Sequence, residues 1–539
     1  MAAEKPVKKN ENKRRTIAAI ASGTVLVLLA GAGVFAAVQN PQEPALAEAN
    51  PGLTNIPTAQ QRLVCPTQPQ LVSGVGENTD AAFAPGSDGE KTELAALAIS
   101  DLGGTLPWLQ LRTDLSAESD PTDLTPKVSD EKQQGQPATV GEDGQSQRKA
   151  KLSVNGSAAT QPSLLTSYPL GGRPGLINAA RSYTAPDGDL AGLASSDCIA
   201  PRHEQWITGL TTEVGATGVI GFSNPTDTTA VVNLDFYGSQ GKVQAPGAQG
   251  IVLGPGESRS FLAAGFAPDE PALTVRIRST GGAVGAWATQ TFLYGLDAGG
   301  VDYIPATGTL ARNQLITGFI AQNPDSNAKY LQDEDRKNSA PALILSSPAA
   351  TETTATIKAY STRGEVDLPN NGEISIPAQG TAVFELDRLA AGEYTFAIQG
   401  DNLVTATGRT VRGDADVDIA YLASAGRLGN SNVVALPQNG DATLVFGQAD
   451  GESTVSITPV LASGAMGRQT SLTLNGGATV RKSVKDLGGD NKVAGVLISV
   501  SGDRVYGNVH ITGSGNQLTA IPIRSTGQAN TAVAVSLSE

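Results

Sequence analysis

Histidine is almost absent from this chain: His203 and His510 are the only two among 539 residues. They are far apart and neither has a histidine at helical spacing, so the paired-histidine zinc sites of hydrolases are excluded. No P-loop and no G-x-S-x-G elbow in a strand-to-helix setting is present, which removes the commonest phosphate cradle and argues against a hydrolase triad. His203, in the run Pro201-Arg202-His203-Glu204-Gln205-Trp206, reads as a solvated residue at a domain junction. Aromatic residues are also scarce, at 4%.

Only two cysteines occur, Cys65 and Cys198. Both follow an apolar segment, and on its far side an oxidising compartment permits disulfides. One Cys65–Cys198 bridge is expected, closing a loop of 133 residues. Two buried free thiols are the alternative.

Positive charge is sparse overall, and the net charge is −14. Six basic residues among the first fifteen (Lys5, Lys8, Lys9, Lys13, Arg14, Arg15), against Glu4 and Glu11, give that segment +4 and leave −18 for the remainder. Such a body repels polyanions, and no nucleic-acid partner is expected. Residues 16–38 are uncharged, 23 positions that span about 34 Å as a helix, enough to cross a bilayer. With the basic cluster before it, this run reads as a signal anchor that leaves residues 1–15 in the cytoplasm and exports the rest. The expected location is the cell membrane, single-pass, with an extracytoplasmic carboxy-terminal body. The alternative is secretion after cleavage near Ala47, where Ala45-Leu46-Ala47 has the small-x-small form.

What is plentiful is turn chemistry. Sixty-two glycines and 31 prolines separate short runs rich in β-branched residues, a pattern of strands joined by frequent turns. The expected fold class is all-β, with tandem β-sandwich-like (Ig-like) domains after one amino-terminal transmembrane helix. Residues 39–60 read as a stalk linker, and 61–205 as an amino-terminal β domain. Within that domain, 116–151 holds almost no large apolar residue and is expected to be a disordered insertion.

Beyond Cys198 a loose repeat runs. Val219-Ile220-Gly221-Phe222, Ala230 to Tyr237 and Gly238-Ser239-Gln240-Gly241 are answered by Ala342-Leu343-Ile344-Leu345, Ala355 to Tyr360 and Ser361-Thr362-Arg363-Gly364. Both copies pass through a proline turn and close on Asp302-Tyr303-Ile304 or Asp418-Ile419-Ala420-Tyr421. A weaker third copy closes on Ala520-Ile521-Pro522-Ile523. The matched tyrosines Tyr237 and Tyr360 are 123 residues apart, which suits two-sheet units rather than propeller blades or solenoid coils. The repeats are expected at 206–310, 311–427 and 428–539. Alternation of Leu273, Val275 and Ile277 with Thr274, Arg276 and Arg278 is expected to put the first set in a core and the second in solvent.

Other constellations have plain explanations. Gly281-Gly282 and Gly476-Gly477 sit between strand runs and read as turns. Asp414, Asp416 and Asp418, and the cluster Asp333-Glu334-Asp335, offer calcium-type oxygens, yet solvated acidic loops explain them. Trp206 and Trp287 with Tyr237 and Tyr303 are a conceivable sugar-stacking platform, better explained by strand packing. No cofactor is expected.

Several of these residues form a pattern. Arg62-Leu63-Val64-Cys65-Pro66, Gly192-Leu193-Ala194 ahead of Cys198 and Pro201, Trp206-Ile207-Thr208-Gly209 and Phe222-Ser223-Asn224-Pro225 resemble the actinobacterial family known as domain of unknown function 5719. The resemblance implies a single-pass or secreted protein with no assigned activity, and supplies no functional residues. The expectation is a non-catalytic cell-envelope protein that binds or spaces through its β domains, its partner a cell-wall component or an envelope protein. An envelope-glycan enzyme using interdomain carboxylates, or an accessory subunit of a membrane complex, is the alternative.

Overall fold

Alternating apolar and polar positions have the period of a pleated strand, and the computed structural model of the chain consists mostly of antiparallel strands. Its described residues are 52–55, 60–70, 86–100, 102, 104–116, 120–129, 146, 148–155, 160–307, 309–424, 426–526 and 532–535. The basic segment 1–15 and the apolar run 16–38 lie outside them. No helix among the described residues is long and apolar enough to cross a membrane. The chain divides into two compact bodies, Thr58–Ala529 and Met1–Pro57 with Asn530–Glu539. In the smaller body, Gly52–Asn55 pairs antiparallel with Ala532–Val535, so the segment read as a stalk contains a strand.

The larger body repeats one plan four times. Each unit has a first layer ordered, in the second unit, Glu204–Leu210, Leu273–Gly281, Ala230–Gly238, Gly241–Val243. Its second layer is ordered Ser258–Leu262, Ala216–Ser223, Gly285–Tyr294, Asp297–Ile304. Ile207, Leu234, Phe236, Val275 and Ile277 of the first layer share a core with Ile220, Phe222, Ala286 and Ala288 of the second. In the third unit one long strand, Gly392–Arg412, serves both layers: Thr395–Gln399 pairs with Thr356–Tyr360, and Thr405–Arg409 with Ala342–Ser346. The fourth unit orders Asn432–Ala435, Val493–Gly502, Glu452–Leu461, Thr470–Asn475 against Ala478–Ser483, Asp441–Gln448, Tyr506–Thr512, Leu518–Pro522.

The amino-terminal region, which the sequence comparison sets apart from the later copies, follows the same plan. Its first layer is Gln61–Cys65, Ser163–Ser167, Leu109–Arg112, Thr122–Asp123, and its second is Ala150–Asn155, Lys91–Ile99, Leu176–Ala185, Gly192–Asp197. Disorder throughout 116–151 is therefore corrected for its described parts. Thr122 and Asp123 pair with Leu111 and Gln110, and Ala150 and Lys151 pair with Ile99 and Ala98. Hydrogen bonds to an existing edge hold Thr122 and Asp123, which are exposed, while Ala150 also packs against apolar residues of the first and fourth units. The two cysteines are bridged, tying the first strand of this unit to the segment that follows its last.

The units close into a ring. The last strands of the four units, Gly192–Asp197, Asp297–Ile304, Asp418–Ala423 and Leu518–Pro522, are each the edge of their sheet and lie against one another around a common axis. Apolar residues cross every junction. Ile419 and Tyr421 of the third unit enter the core of the second, and Ala520 of the fourth enters that of the third. Ala95, Leu97 and Ile99 of the first pack with Val433, Ala435 and Val460 of the fourth. Tyr183 and Ala194 of the first pack with Val301 and Tyr303 of the second.

Ring closure explains one departure from the simple alternation. Arg276 and Arg278 are partly exposed as expected, but Thr274 is fully buried. Thr381 of the third unit covers it, its hydroxyl donating to the Tyr237 carbonyl at 2.7 Å and lying 3.1 Å from the Thr274 hydroxyl. Thr479 makes the equivalent bonds one junction on, to the Tyr360 carbonyl and to Thr395, both at 2.8 Å.

Candidate functional site

An edge strand carries backbone N–H groups with no strand to receive them, and four such edges meet on the axis. Two aspartates accept them. Asp302 takes the Tyr421 N–H at 2.9 Å, the Ser195 N–H at 3.3 Å and the Thr519 hydroxyl at 2.8 Å. Asp418 takes the Leu193 N–H at 2.9 Å and those of Leu518 and Ile419 at 3.0 Å. Three of the four units thus hang on each carboxyl. Burial pushes Asp302 well above the carboxylate range and Asp418 up to about 8, while the hydrogen bonds pull both down. Glycine is needed beside them: a Cβ on Gly192 or Gly300 would stand 2.6 or 2.8 Å from an Asp418 oxygen, and both have positive φ. This cluster is closed to solvent and its partners come from the chain, so it is a keystone rather than a binding site.

Solvent reaches the ring at the junction between the first and second units. The segments that follow the axial strands (Cys198 to Pro201, Ala306, Thr307, Thr309 and Leu310, Arg524 to Thr526) surround a cavity of 640 Å³ with Gln60 to Leu63 and Glu204 to Trp206. Within it Asp197 is bonded to Arg524, which also donates to the Ala306 carbonyl at 2.9 Å. Glu204 receives Arg276 at 2.7 Å and the Trp206 indole N–H at 3.0 Å, and the Arg276 guanidinium holds its carboxyl below the usual range. Gln205 donates to the Val284 carbonyl at 2.8 Å.

A second hollow of 320 Å³ shares Gln60, Arg62 and Thr226 with the first, making one elongated cleft. Its floor is the outer face of the first unit's first layer. On that face Leu109 and Leu111 point into the core while Gln110 and Arg112 point out, and Arg62, Thr166 and Gln110 stand side by side across three strands. Beside them Tyr168 stacks on Trp108, ring centres 4.0 Å apart and 17° from parallel. The Tyr168 hydroxyl donates to Gln110 at 2.9 Å, and Gln110 and Trp108 donate to Asp123 at 2.9 and 3.0 Å. Those donors, Gln110 foremost, hold the Asp123 carboxyl below its ordinary value. The far wall is Pro225 to Asp227 with Pro255 and Gly256; Arg62 donates to the Pro225 carbonyl at 2.9 Å and lies 3.8 Å from Asp227. On the corresponding faces of the second and third units Thr208, Thr274, Thr317 and Thr395 are buried, whereas Arg276, Arg278, Thr356 and Lys358 reach solvent.

Of the residues singled out in the sequence, Cys198 and Trp206 border the larger hollow. Trp206, Trp287, Tyr237 and Tyr303 are buried, so they form no open stacking platform. Asp414 pairs with Lys329 at 2.9 Å. Asp333 caps a short 3-10 helix, Glu334–Ser339, through the Asp335 N–H, and Glu334 pairs with Lys337. His203 is exposed, its ring nitrogen 3.2 Å from the Ser279 carbonyl. His510 is buried beside Glu393, 3.3 Å away, and burial pushes its pKa down to about 4. Arg62, Gln110, Arg112 and Tyr168 are the cleft residues that sequence reasoning missed. For Gln110 and Arg112 the signal is the outward half of the alternation Leu109-Gln110-Leu111-Arg112.

The model of a family described as a family of unknown function, DUF5719, matches residues 153–485. Comparison with curated proteins yields no match.

Proposed function

The chain belongs to the DUF5719 family, and from that footing we propose that it is a non-catalytic binding protein of the cell envelope, holding its ligand in the cleft between the first and second units. A tether through the apolar run 16–38 accompanies this reading, with the larger body outside the membrane. The observation that carries it is the state of the cleft's carboxylates. Asp197, Glu204 and Asp227 each face an arginine, and the first two are held by hydrogen bonds. General acid work needs a carboxyl kept protonated near neutrality, whereas the Arg276 pairing holds Glu204 ionised. Residues fixed in this way are suited to recognition: they are pre-organised, so little ordering cost remains when a ligand enters.

The test is retention of the detergent-solubilised full chain on membrane-stripped cell walls. Thr309→Trp places a large ring in the 640 Å³ cavity, and is expected to weaken retention by at least about tenfold, a loss of ~1.4 kcal/mol. Retention that is absent for the unaltered chain, or equal for the two, would overturn the proposal.

A further inference from the structure

The cleft's unspent chemistry points to a class of ligand, an inference that rests on the binding reading above. Each cleft carboxylate is matched to an arginine, but Arg112 and Arg202, one in each hollow, pair with no carboxylate among the described residues. Two uncommitted guanidinium groups in a chain of net charge −14 are a local reversal of sign, and a planar guanidinium is suited to bidentate contact with carboxylate or phosphate. Tyr168 lines the same hollow as Arg112. One face of its ring is backed by Trp108 and its hydroxyl is held by Gln110, and Lys127 sits over Trp108 at 5.6 Å from the ring centre. Tyr168 therefore presents a fixed aromatic surface to the cleft it lines.

An aromatic face ringed by side-chain amides, hydroxyls and guanidinium groups recognises sugar rings, which offer an apolar C–H face and a rim of hydroxyls. The neighbouring floor positions, Arg62, Thr166 and Gln110, are polar rather than the alternating apolar sockets that an extended peptide fills. Two joined hollows of 640 and 320 Å³ hold several sugar units. We propose that the cleft between the first and second units binds a strand of acidic polysaccharide, its sugar faces on Tyr168 and its acidic groups on Arg112 and Arg202.

Binding of the detergent-solubilised full chain is measured by calorimetry with polygalacturonate, with its methyl-esterified form, and with polyglutamate. Polygalacturonate is expected to bind, the neutral ester at least about tenfold more weakly. Arg112→Gln and Tyr168→Ala are each expected to weaken polygalacturonate binding about tenfold, with thermal unfolding near that of the unaltered chain because both side chains are only half-buried. Polyglutamate binding as tightly as polygalacturonate would replace the glycan by an acidic peptide. An ester that binds equally well removes the acidic requirement, and unchanged binding by both variants removes the site. Failure of polygalacturonate to bind overturns the ligand class; if the unaltered chain still binds cell walls and Thr309→Trp does not, the envelope-binding reading stands while this one falls.

Discussion

Single buried ionisable residues set how this protein responds to pH. Burial raises Asp418 to about 8 from about 4 in an unfolded chain, so the folded state holds the proton more tightly. Its contribution to stability is full below pH ~4 and is lost as pH rises toward 8. Asp418→Asn turns an amide N–H₂ toward backbone donors, and a loss of about 2–4 kcal/mol is expected at pH 6. In urea unfolding this deficit shrinks toward pH 9; a deficit that grows would contradict the assignment. His510 works in the other direction. Burial, then the Arg481 charge, lowers it to about 4, so its contribution is present above pH ~6.5 and is lost as pH falls through 4. The groups facing it are Glu393 at 3.3 Å and the Gly318 backbone. His510→Gln is expected to flatten the acid limb of the stability curve by about 3 kcal/mol, read from urea midpoints between pH 7 and 4.

At the scale of strands and their connections, the disulfide and the axial glycines are the points of greatest leverage. The Cys65–Cys198 bridge closes 133 residues of chain and joins the first strand of the first unit to the border of the cleft, where Cys198 lines the cavity. Reduction is expected to cost up to about 5 kcal/mol, seen as a lower urea midpoint in reductant that Cys65→Ser reproduces; an unchanged midpoint would show that packing alone holds that strand. Gly300→Ala brings a methyl to 2.8 Å from both an Asp418 oxygen and the Ile419 nitrogen, at a φ of +98°. A loss of about 2–3 kcal/mol is expected, larger than for Gly295→Ala, whose positive φ is similar in kind but whose added Cβ meets nothing. Comparison of the two variants separates backbone strain from the collision at the axis.

The whole molecule depends on closure. The fourth unit buries Ala95, Leu97 and Ile99 of the first under Val433, Ala435 and Val460, and Arg524 of the fourth bonds Asp197 of the first. A chain truncated after residue 427 exposes these apolar residues and leaves Asp197 without its partner. It is expected to bind a hydrophobic dye and to associate in size-exclusion chromatography, where the full chain in the same detergent does not. A monomeric, dye-silent truncation would show that the units are independent rather than mutually supporting.

Much of this was local and therefore legible in the sequence. Alternation at Leu273 to Arg278 dictates a strand, because side chains on a pleat alternate whatever the surroundings. The repeated Asp-Tyr closures marked the axial strands, and two cysteines allowed one bridge. What could not be read was the covering of one unit by the next. The first unit's kinship with the others is hidden because its polar segment near Thr122–Asp123 forms a strand only by borrowing a neighbour's edge. Asp302 reads as an ordinary strand residue and Asp418 as part of a solvated acidic loop, a reading its full burial corrects, until four edges converge and turn their N–H groups inward. The cleft is bordered by segments of the first, second and fourth units, brought together by contacts between residues far apart in the chain. Periodicity determined which residues face inward within a unit; only ring closure decided which outward positions became core and which stayed open to solvent.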